Sequence, residues 1–233
     1  QLDELIKKLD EKSVIAVDTE TSSLNPQEAD LVGISLCYEA NQAYYIPLGH
    51  KEKTELKKNL VLEKLKPILE DESIKKVGQN IKYDFIIFKN EGIELSPLDD
   101  TMLLSYTLDA GNNRHNMDTL SELHLGHKSI SYKEIVGTGK KQLNFSDVDL
   151  KSATEYAAED ADVTLRLYEL LSERVSNEKL EKIYEVFEKP MIKILSKLET
   201  NGIKVDDVYL QKLSKKFEER LIKIEKKIYE LTG

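Results

Sequence analysis

Two carboxylates one residue apart, Asp18 and Glu20, follow directly on the apolar run Val14-Ile15-Ala16-Val17. In an extended chain the period of two points both to one side, and ligand crevices in open α/β sheets form beyond the carboxyl ends of strands. Two acids at the edge of a dry core repel each other and lose hydration unless a cation joins them, which makes a divalent metal the natural partner. The alternative is that Asp18 caps a turn and Glu20 is solvated, and an isolated Asp-x-Glu does not separate the two readings. Two later segments add acids. In Gly78-Gln79-Asn80-Ile81-Lys82-Tyr83-Asp84 the last residue enters the first turn of an apolar helix, where it either faces a site or complements the helix dipole behind an Asn80 cap. In Tyr156-Ala157-Ala158-Glu159-Asp160 the i, i+4 spacing puts a phenol and a carboxylate on one helical face. A carboxylate on that core-facing stripe is costly unless a cation or donor meets it.

The elements that must position these residues are legible from periodicity. Val14 to Glu20 has no polar alternation in its apolar part and suits a central strand covered on both faces. Leu31 to Tyr38 and Gln42 to Pro47 predict two strands extending it antiparallel, and Ile74 to Val77 a short strand leading into Gly78. Helices are expected over Gln1 to Leu9, Leu56 to Leu69 with Pro67 as a breaker near its end, Tyr83 to Asn90, Asp99 to Leu108 and Asp118 to Leu125. Between the last two, Ala110 to Asn116 is polar and basic at Arg114 and His115. Ser152 to Val175 is the clearest helix, with Tyr156, Asp160, Val163, Leu167 and Leu171 inward and Glu155, Glu159, Asp162, Arg166, Glu169 and Glu173 outward. Two long helical patterns, Leu180 to Leu198 and Leu210 to Leu231, follow across an Asn201-Gly202 turn without further strand signal. The apolar stripe of the second needs a partner, which implies a second domain begun and cut short.

Composition bounds the rest. The 233 residues, 40% of them hydrophobic, can form one large domain and part of another. No apolar run approaches the ~20 residues that span a bilayer, and no signal-peptide pattern opens the chain. The first residue, Gln1, implies an excised or processed piece. The single cysteine, Cys37, lies in an apolar run, reads as a core thiol, and excludes an internal disulfide. A net charge of −9 argues against bulk attraction to nucleic acid, but metal ions held by carboxylates, or a basic partner domain, can reverse that locally. Most of the lysines at 51 to 58, 75 and 76, and 140 and 141 read as ordinary solvated surface. His124 and His127, with no further ligand nearby, read as surface histidines rather than a zinc site.

Together the segments resemble the three exonuclease motifs of the DEDD superfamily, tyrosine branch, and more closely the proofreading 3′-to-5′ exonuclease domain of bacterial DNA polymerase I and its family A relatives. The resemblance is carried by Val17 to Leu24, Gly78 to Asp84, Arg114 to Leu120 and Tyr156 to Thr164, with Glu188 to Asp206 similar to the opening of the polymerase domain. It implies a ribonuclease H-like α/β fold, a mixed central sheet flanked by helices, over residues 1–176, and the helical beginning of a truncated polymerase (thumb) domain over 177–233. It implies hydrolysis of DNA phosphodiester bonds from the 3′ end, with two Mg²⁺ or Mn²⁺ ions. Asp18, Glu20 and Asp160 would hold the ion that activates water, Asp18 and Asp84 would position the second, and Tyr156 would orient the attacking water. Thr21, Leu24, Gln79, Asn80, Tyr83, Arg114 and Tyr132 would contact the strand end. Asn116 departs from the acidic residue expected in its run.

The implied setting is a monomeric, non-membrane part of a bacterial, cytoplasmic, nucleoid-associated polymerase. It would act on a single-stranded or frayed 3′ end beside the remaining polymerase domain, with no polymerase activity of its own. Two alternatives stay open: a ribonuclease D-like enzyme that trims RNA, and a catalytically silent scaffold domain. The presence of all four carboxylates counts against the scaffold.

Overall fold

The computed structural model describes residues 2–52, 54 and 56–233; Gln1, Lys53 and the side chain of Lys140, to which parts of the reading above extend, lie outside the described residues. Five strands form one mixed sheet: β1 (Val14–Thr21), β2 (Leu31–Cys37), β3 (Ala43–Pro47), β4 (Lys75–Gly78) and β5 (Leu98–Asp100). Their order is β3-β2-β1-β4-β5. β1 is central, antiparallel to β2 and parallel to β4, and β5 joins β4 in parallel.

Alternation along β1 sorts its side chains between two cores. Ile15 and Val17 pack with Leu9, Leu65, Ile87 and Phe88, which come from α1 (Leu2–Asp10), α2 (Lys58–Leu69) and α3 (Lys82–Asn90). Ala16 packs with Cys37, Ala161 and Leu165 on the other face, beneath the long helix α7 (Leu150–Asn177). Ile15, Ala16, Val17 and Cys37 are all fully buried, as their apolar runs require. The face that α7 covers also packs against α4 (Thr101–Asp109), while α5 (Met117–Leu120), a π-helical turn over Ser121–Leu125 and α6 (Tyr132–Val136) lead toward α7. The glycine at position 33 has a specific reason. A Cβ there would lie 2.1 Å from the Tyr45 hydroxyl, because the Tyr45 side chain crosses directly over it.

Several boundaries differ from expectation. Asp99 belongs to β5, not to a helix; Asp100 ends that strand and caps α4, its carboxylate accepting from the N–H groups of Met102 and Leu103. An acidic pair before an apolar helical stripe carries no β signal, and the strand exists because β4 offers it a free edge. α2 begins only at Lys58. The Leu180 to Leu198 pattern divides into α8 (Glu181–Ile183), a π-helical turn over Tyr184–Glu188 and α9 (Lys189–Asn201). Tyr184 and Asp99 explain the break: the buried Asp99 carboxylate accepts from the Tyr184 and Tyr168 hydroxyls, each at 3.1 Å, and pairs with Lys75 and Lys189, each at 2.8 Å. Two predicted outer residues of α7 are also engaged. Glu159 accepts from the Ile130 N–H at 2.6 Å and pairs with His127 at 2.7 Å, so His127 is not a bare surface group. Asp162 accepts from the Asn41 N–H and from Arg166.

Gln1–Thr200 and Asn201–Gly233 are two compact units. The second consists mainly of α10 (Asp207–Thr232), whose first turn is capped by Asp206 accepting from the Tyr209 N–H at 2.8 Å. Among the described residues, no helix is long and apolar enough to cross a membrane.

Candidate active site

The two carboxylates at the end of β1 share the face that α7 covers, and α7 brings Asp160 to them. Carboxylate oxygens of Asp18, Glu20 and Asp160 all lie within 4.8 Å of one another. Glu20 is 6% and Asp160 7% exposed, so neither is a solvated surface acid. Asp18 lies within the strand and caps no turn. A slip of register between Glu20, paired with Gly33, and Thr21, paired with Leu31, interrupts the regular ladder directly after the second acid; such irregularities turn a strand and aim its side chains.

Asp84 arrives from the opposite side of the sheet. Thr19, alternating with its acidic neighbours, points toward α3, and Asp84 in the first turn of that helix accepts from the Thr19 N–H at 2.9 Å and the Thr19 hydroxyl at 2.5 Å. Asp84 is 2% exposed. One of its oxygens is thus fixed to the backbone between Asp18 and Glu20. Asn80 does not cap α3: it has φ of 60°, and Ile81 occupies the capping position.

Burial first, and then like charge on Glu20, Asp84 and Asp160, raises the proton affinity of the four carboxylates. Burial, with no opposing contact, lifts Asp18 from the usual carboxylate range to about 7. Burial and then the fields of Asp18, Asp160 and Asp84 hold Glu20 well above its ordinary value. Burial and Asp18 do the same for Asp84 and Asp160, against the Thr19 hydrogen bonds and the Tyr156 phenol respectively. Tyr156, one turn before Asp160, is itself pushed far upward by burial and by Asp160, Glu20 and Asp18, so it stays a protonated phenol. Raised values of this kind, from burial plus like charge, mark sites built to receive a cation or a proton.

A cavity of about 680 Å³ opens over this cluster, with Asp18, Glu20, Tyr156 and Asp160 in its lining. Thr21, Leu24, Asn80, Tyr83 and Tyr132 also line it. Leu24 is 91% exposed. The turn that carries it is tied by the Tyr83 hydroxyl, which donates to the Ser23 carbonyl at 2.5 Å and lies 2.5 Å from the Thr21 hydroxyl. Tyr132 is neither wholly core nor wholly free: its ring stacks on Phe145 with centroids 6.2 Å apart and meets Tyr156 edge-on at 6.0 Å. The structure places two expected contact residues outside the lining. Arg114 is exposed on the segment between α4 and α5, and Gln79 spends its amide within the fold, donating to the His115 carbonyl at 2.7 Å and lying 2.5 Å from the Thr101 hydroxyl.

Sequence reasoning missed Thr19, although its place between two acids on a strand assigns it to the other face. It also missed Asn144, which donates to the Ser22 carbonyl at 2.8 Å and, with Phe145, closes one wall. No local signal marks Asn144, since its partner is 122 residues away.

A family model described as a 3′-5′ exonuclease matches residues 1–176. The chain belongs to this exonuclease family of family A DNA polymerases. The exonuclease chain is 42% identical to DNA polymerase I of Rhizobium leguminosarum over 100% of its own length and 25% of that protein's. It is 39% identical to DNA polymerase I of Pseudomonas aeruginosa, over 99% of the chain and 26% of the relative. It therefore spans about a quarter of the length of the curated relatives it matches. Among solved structures, Brucella melitensis NrnC with bound Mg²⁺ aligns with TM-score 0.64 and 23% identity, over 82% of this chain and 87% of that one. A DNA-complexed POL domain of Pol1 from M. smegmatis aligns with TM-score 0.73 and 18% identity, over 94% of this chain and 34% of that one. Such likenesses show a ribonuclease H-like α/β fold, as the family resemblance implied, with the mixed sheet at its centre.

Proposed function

We propose that the chain is a metal-dependent 3′-to-5′ exonuclease that releases nucleoside monophosphates from a DNA 3′ end, the proofreading part of a DNA polymerase I. The observation that carries this reading is the convergence of Asp18, Glu20 and Asp160 oxygens within 4.8 Å at the floor of an open cavity, with Asp84 fixed one residue away through Thr19. Hard, anionic oxygens in this number suit Mg²⁺ or Mn²⁺. Two such ions, when bound, supply a hydroxide nucleophile and neutralise charge on the phosphate undergoing substitution. Asp18, Glu20 and Asp160 would hold one ion, and Asp18 with Asp84 the other. Tyr156, kept protonated by its surroundings, orients the attacking water by hydrogen bonding and is unsuited to take its proton.

Around the acids, Leu24 offers an apolar edge to the terminal bases, Tyr132 a face for stacking, and Thr21, Asn80 and Tyr83 polar groups for the last nucleotide. Gln79 and Arg114 lie further out, Arg114 as a contact for the incoming strand's phosphates. Residues 1–176 constitute the exonuclease domain and 177–233 the start of the polymerase domain, whose remainder is the partner. The chain acts as a monomer in the bacterial cytoplasm, at the nucleoid, and has no polymerase activity by itself.

The test is hydrolysis of a 3′-end-labelled single-stranded oligodeoxynucleotide in Mg²⁺, with an oligoribonucleotide in parallel. Asp160→Ala is expected to lower the rate by more than ~10³-fold, as loss of a metal ligand at a two-ion site requires. Undiminished hydrolysis by that variant refutes the assignment, and faster cleavage of RNA than of DNA refutes the substrate.

A further inference from the structure

Asp84 can serve a second ion only if α3 presents it at one height above β1, yet α3 starts without a side-chain cap of its own. What fixes that start comes from β5, two strands away from β1. Asp100 is 1% exposed. Its Oδ1 accepts from the N–H groups of Met102 at 2.8 Å, Asn80 at 3.2 Å and Leu103 at 3.3 Å, and its Oδ2 accepts from the N–H of Ile81 at 2.9 Å. One carboxylate thus caps α4 and holds Asn80 and Ile81, the two residues that lead into α3; burial lifts it to about 6 against the pull of these N–H groups. The neighbouring Thr101 hydroxyl lies 3.1 Å from the Gly78 carbonyl oxygen and 2.5 Å from Gln79 Oε1. Between them, these two residues hold every residue of the segment Gly78–Ile81. That segment needs holding. Asn80 has φ of 60°, a left-handed conformation that Asn tolerates better than other residues with a Cβ and that local hydrogen bonds must hold. Gly78 admits Ile81 so closely that a Cβ would meet it at 2.8 Å.

From this turn the chain runs directly into the site. The Tyr83 N–H donates to the Asn80 carbonyl at 3.0 Å, and that of Phe85 to the Ile81 carbonyl at 2.8 Å. The next contact is the Asp84 carboxylate on Thr19. A rigid path therefore links the end of β5 to the acid that approaches β1 from the α3 face.

We propose that Asp100 is a positioning residue for Asp84, with Thr101 as its auxiliary: the pair sets the Gly78–Ile81 turn, and through it the second-ion affinity of the site. The inference rests on the two-ion reading given above. It concerns only this chain's residues, since Asp100 touches no group of the acidic cluster and acts through the backbone of α3.

The experiment is a Mn²⁺ titration of the full chain followed by electron paramagnetic resonance of the free ion, alongside thermal melts and steady-state hydrolysis of single-stranded DNA. Asp100→Asn replaces one acceptor oxygen by an NH₂ group, so at least one of the four N–H bonds is lost. Outer-shell changes at metal sites weaken metal affinity or activity by ~10–100-fold. The expected result is a weaker class of Mn²⁺ binding by about that factor with the tighter class unchanged, a raised Mg²⁺ half-saturation of hydrolysis, and a KM for DNA within about twofold of wild type. Leu9→Ala, a core truncation in α1, controls for lost stability and should leave the isotherm unchanged. Should Asp100→Asn fail to fold, Thr101→Val decides, with a smaller shift in the same direction. Variants whose isotherms match wild type overturn the proposal while wild-type binding and hydrolysis stand. Absence of Mn²⁺ binding by wild type overturns instead the two-ion reading beneath it.

Discussion

The acidic cluster should make the metal-free protein less stable than its shape allows, and Asp18→Asn should reveal by how much. Asn preserves the size of the side chain and removes the charge that faces Glu20 and Asp160. Carboxylate oxygens no more than 4.8 Å apart repel by at least about 3 kcal/mol at an effective dielectric near 20. The pKa gives an independent scale: Asp18 is lifted to about 7, against ~3.9 in an unfolded chain. Three pKa units at ~1.4 kcal/mol each set a ceiling of about 4 kcal/mol. The sign follows from linkage. A carboxylate whose folded value is raised leaves stability intact below the unfolded value and removes it as pH rises toward the folded value. In EDTA at pH 8, Asp18→Asn should therefore be more stable than wild type by ~2–4 kcal/mol, a gain of several degrees in Tm for a chain of this length. At pH 4 the gain should shrink below ~1 kcal/mol. Saturating Mn²⁺ should raise the Tm of wild type, because the ion binds the native state alone, and should raise that of the variant less. Urea or thermal melts at the two pH values, with and without metal, measure all four quantities. A variant no more stable than wild type at pH 8 in EDTA, or a gain that persists at pH 4, refutes the reasoning.

Two further outcomes test the scaffold around the site. Burial alone would raise Asp99, but the hydrogen bonds and charges of Lys189 and Lys75 outweigh it and hold the carboxyl below its ordinary value. Asp99→Asn should thus cost ~2–4 kcal/mol at pH 7 in urea melts, since it leaves a buried ion pair half-made. Because the lowered value contributes stability only above the unfolded pKa and loses it as pH falls through the folded one, that cost should fade below about pH 4, and a pH-independent penalty counts against the charge network. Gly33→Ala sets a methyl 2.1 Å from the Tyr45 hydroxyl and should displace the bond from Tyr45 to His50 Nε2, which is 2.6 Å long. Overpacking of this kind costs ~1–3 kcal/mol. Calorimetry should show the cost reduced in a Tyr45→Ala background, and equal costs in both backgrounds rule out the clash.

What could be read without coordinates was whatever a local period encodes. The apolar run before Asp18 specifies a covered strand, its alternation puts Asp18 and Glu20 on one side, and the stripe of α7 turns Asp160 inward. Each of these needs only neighbours within a turn or two. The likeness of four short runs to known exonuclease motifs further implied the family. The route by which Asp84 reaches the site was not legible, because it depends on α3 covering the face opposite α7 and on Thr19 rather than either acid receiving it. Nor was the role of Asp99 and Asp100, whose sequence looks like the start of a helix and becomes a strand only because β4 lies between β1 and β5. Their partners are drawn from Lys75, Asn80, Ile81, Tyr168, Tyr184 and Lys189. Hydrogen bonds across such separations follow from strand order and helix packing, which no local pattern encodes. The sequence by itself determined on which side of its own strand or helix each acid lies; the tertiary structure decided from which faces they approach one another and what holds them there.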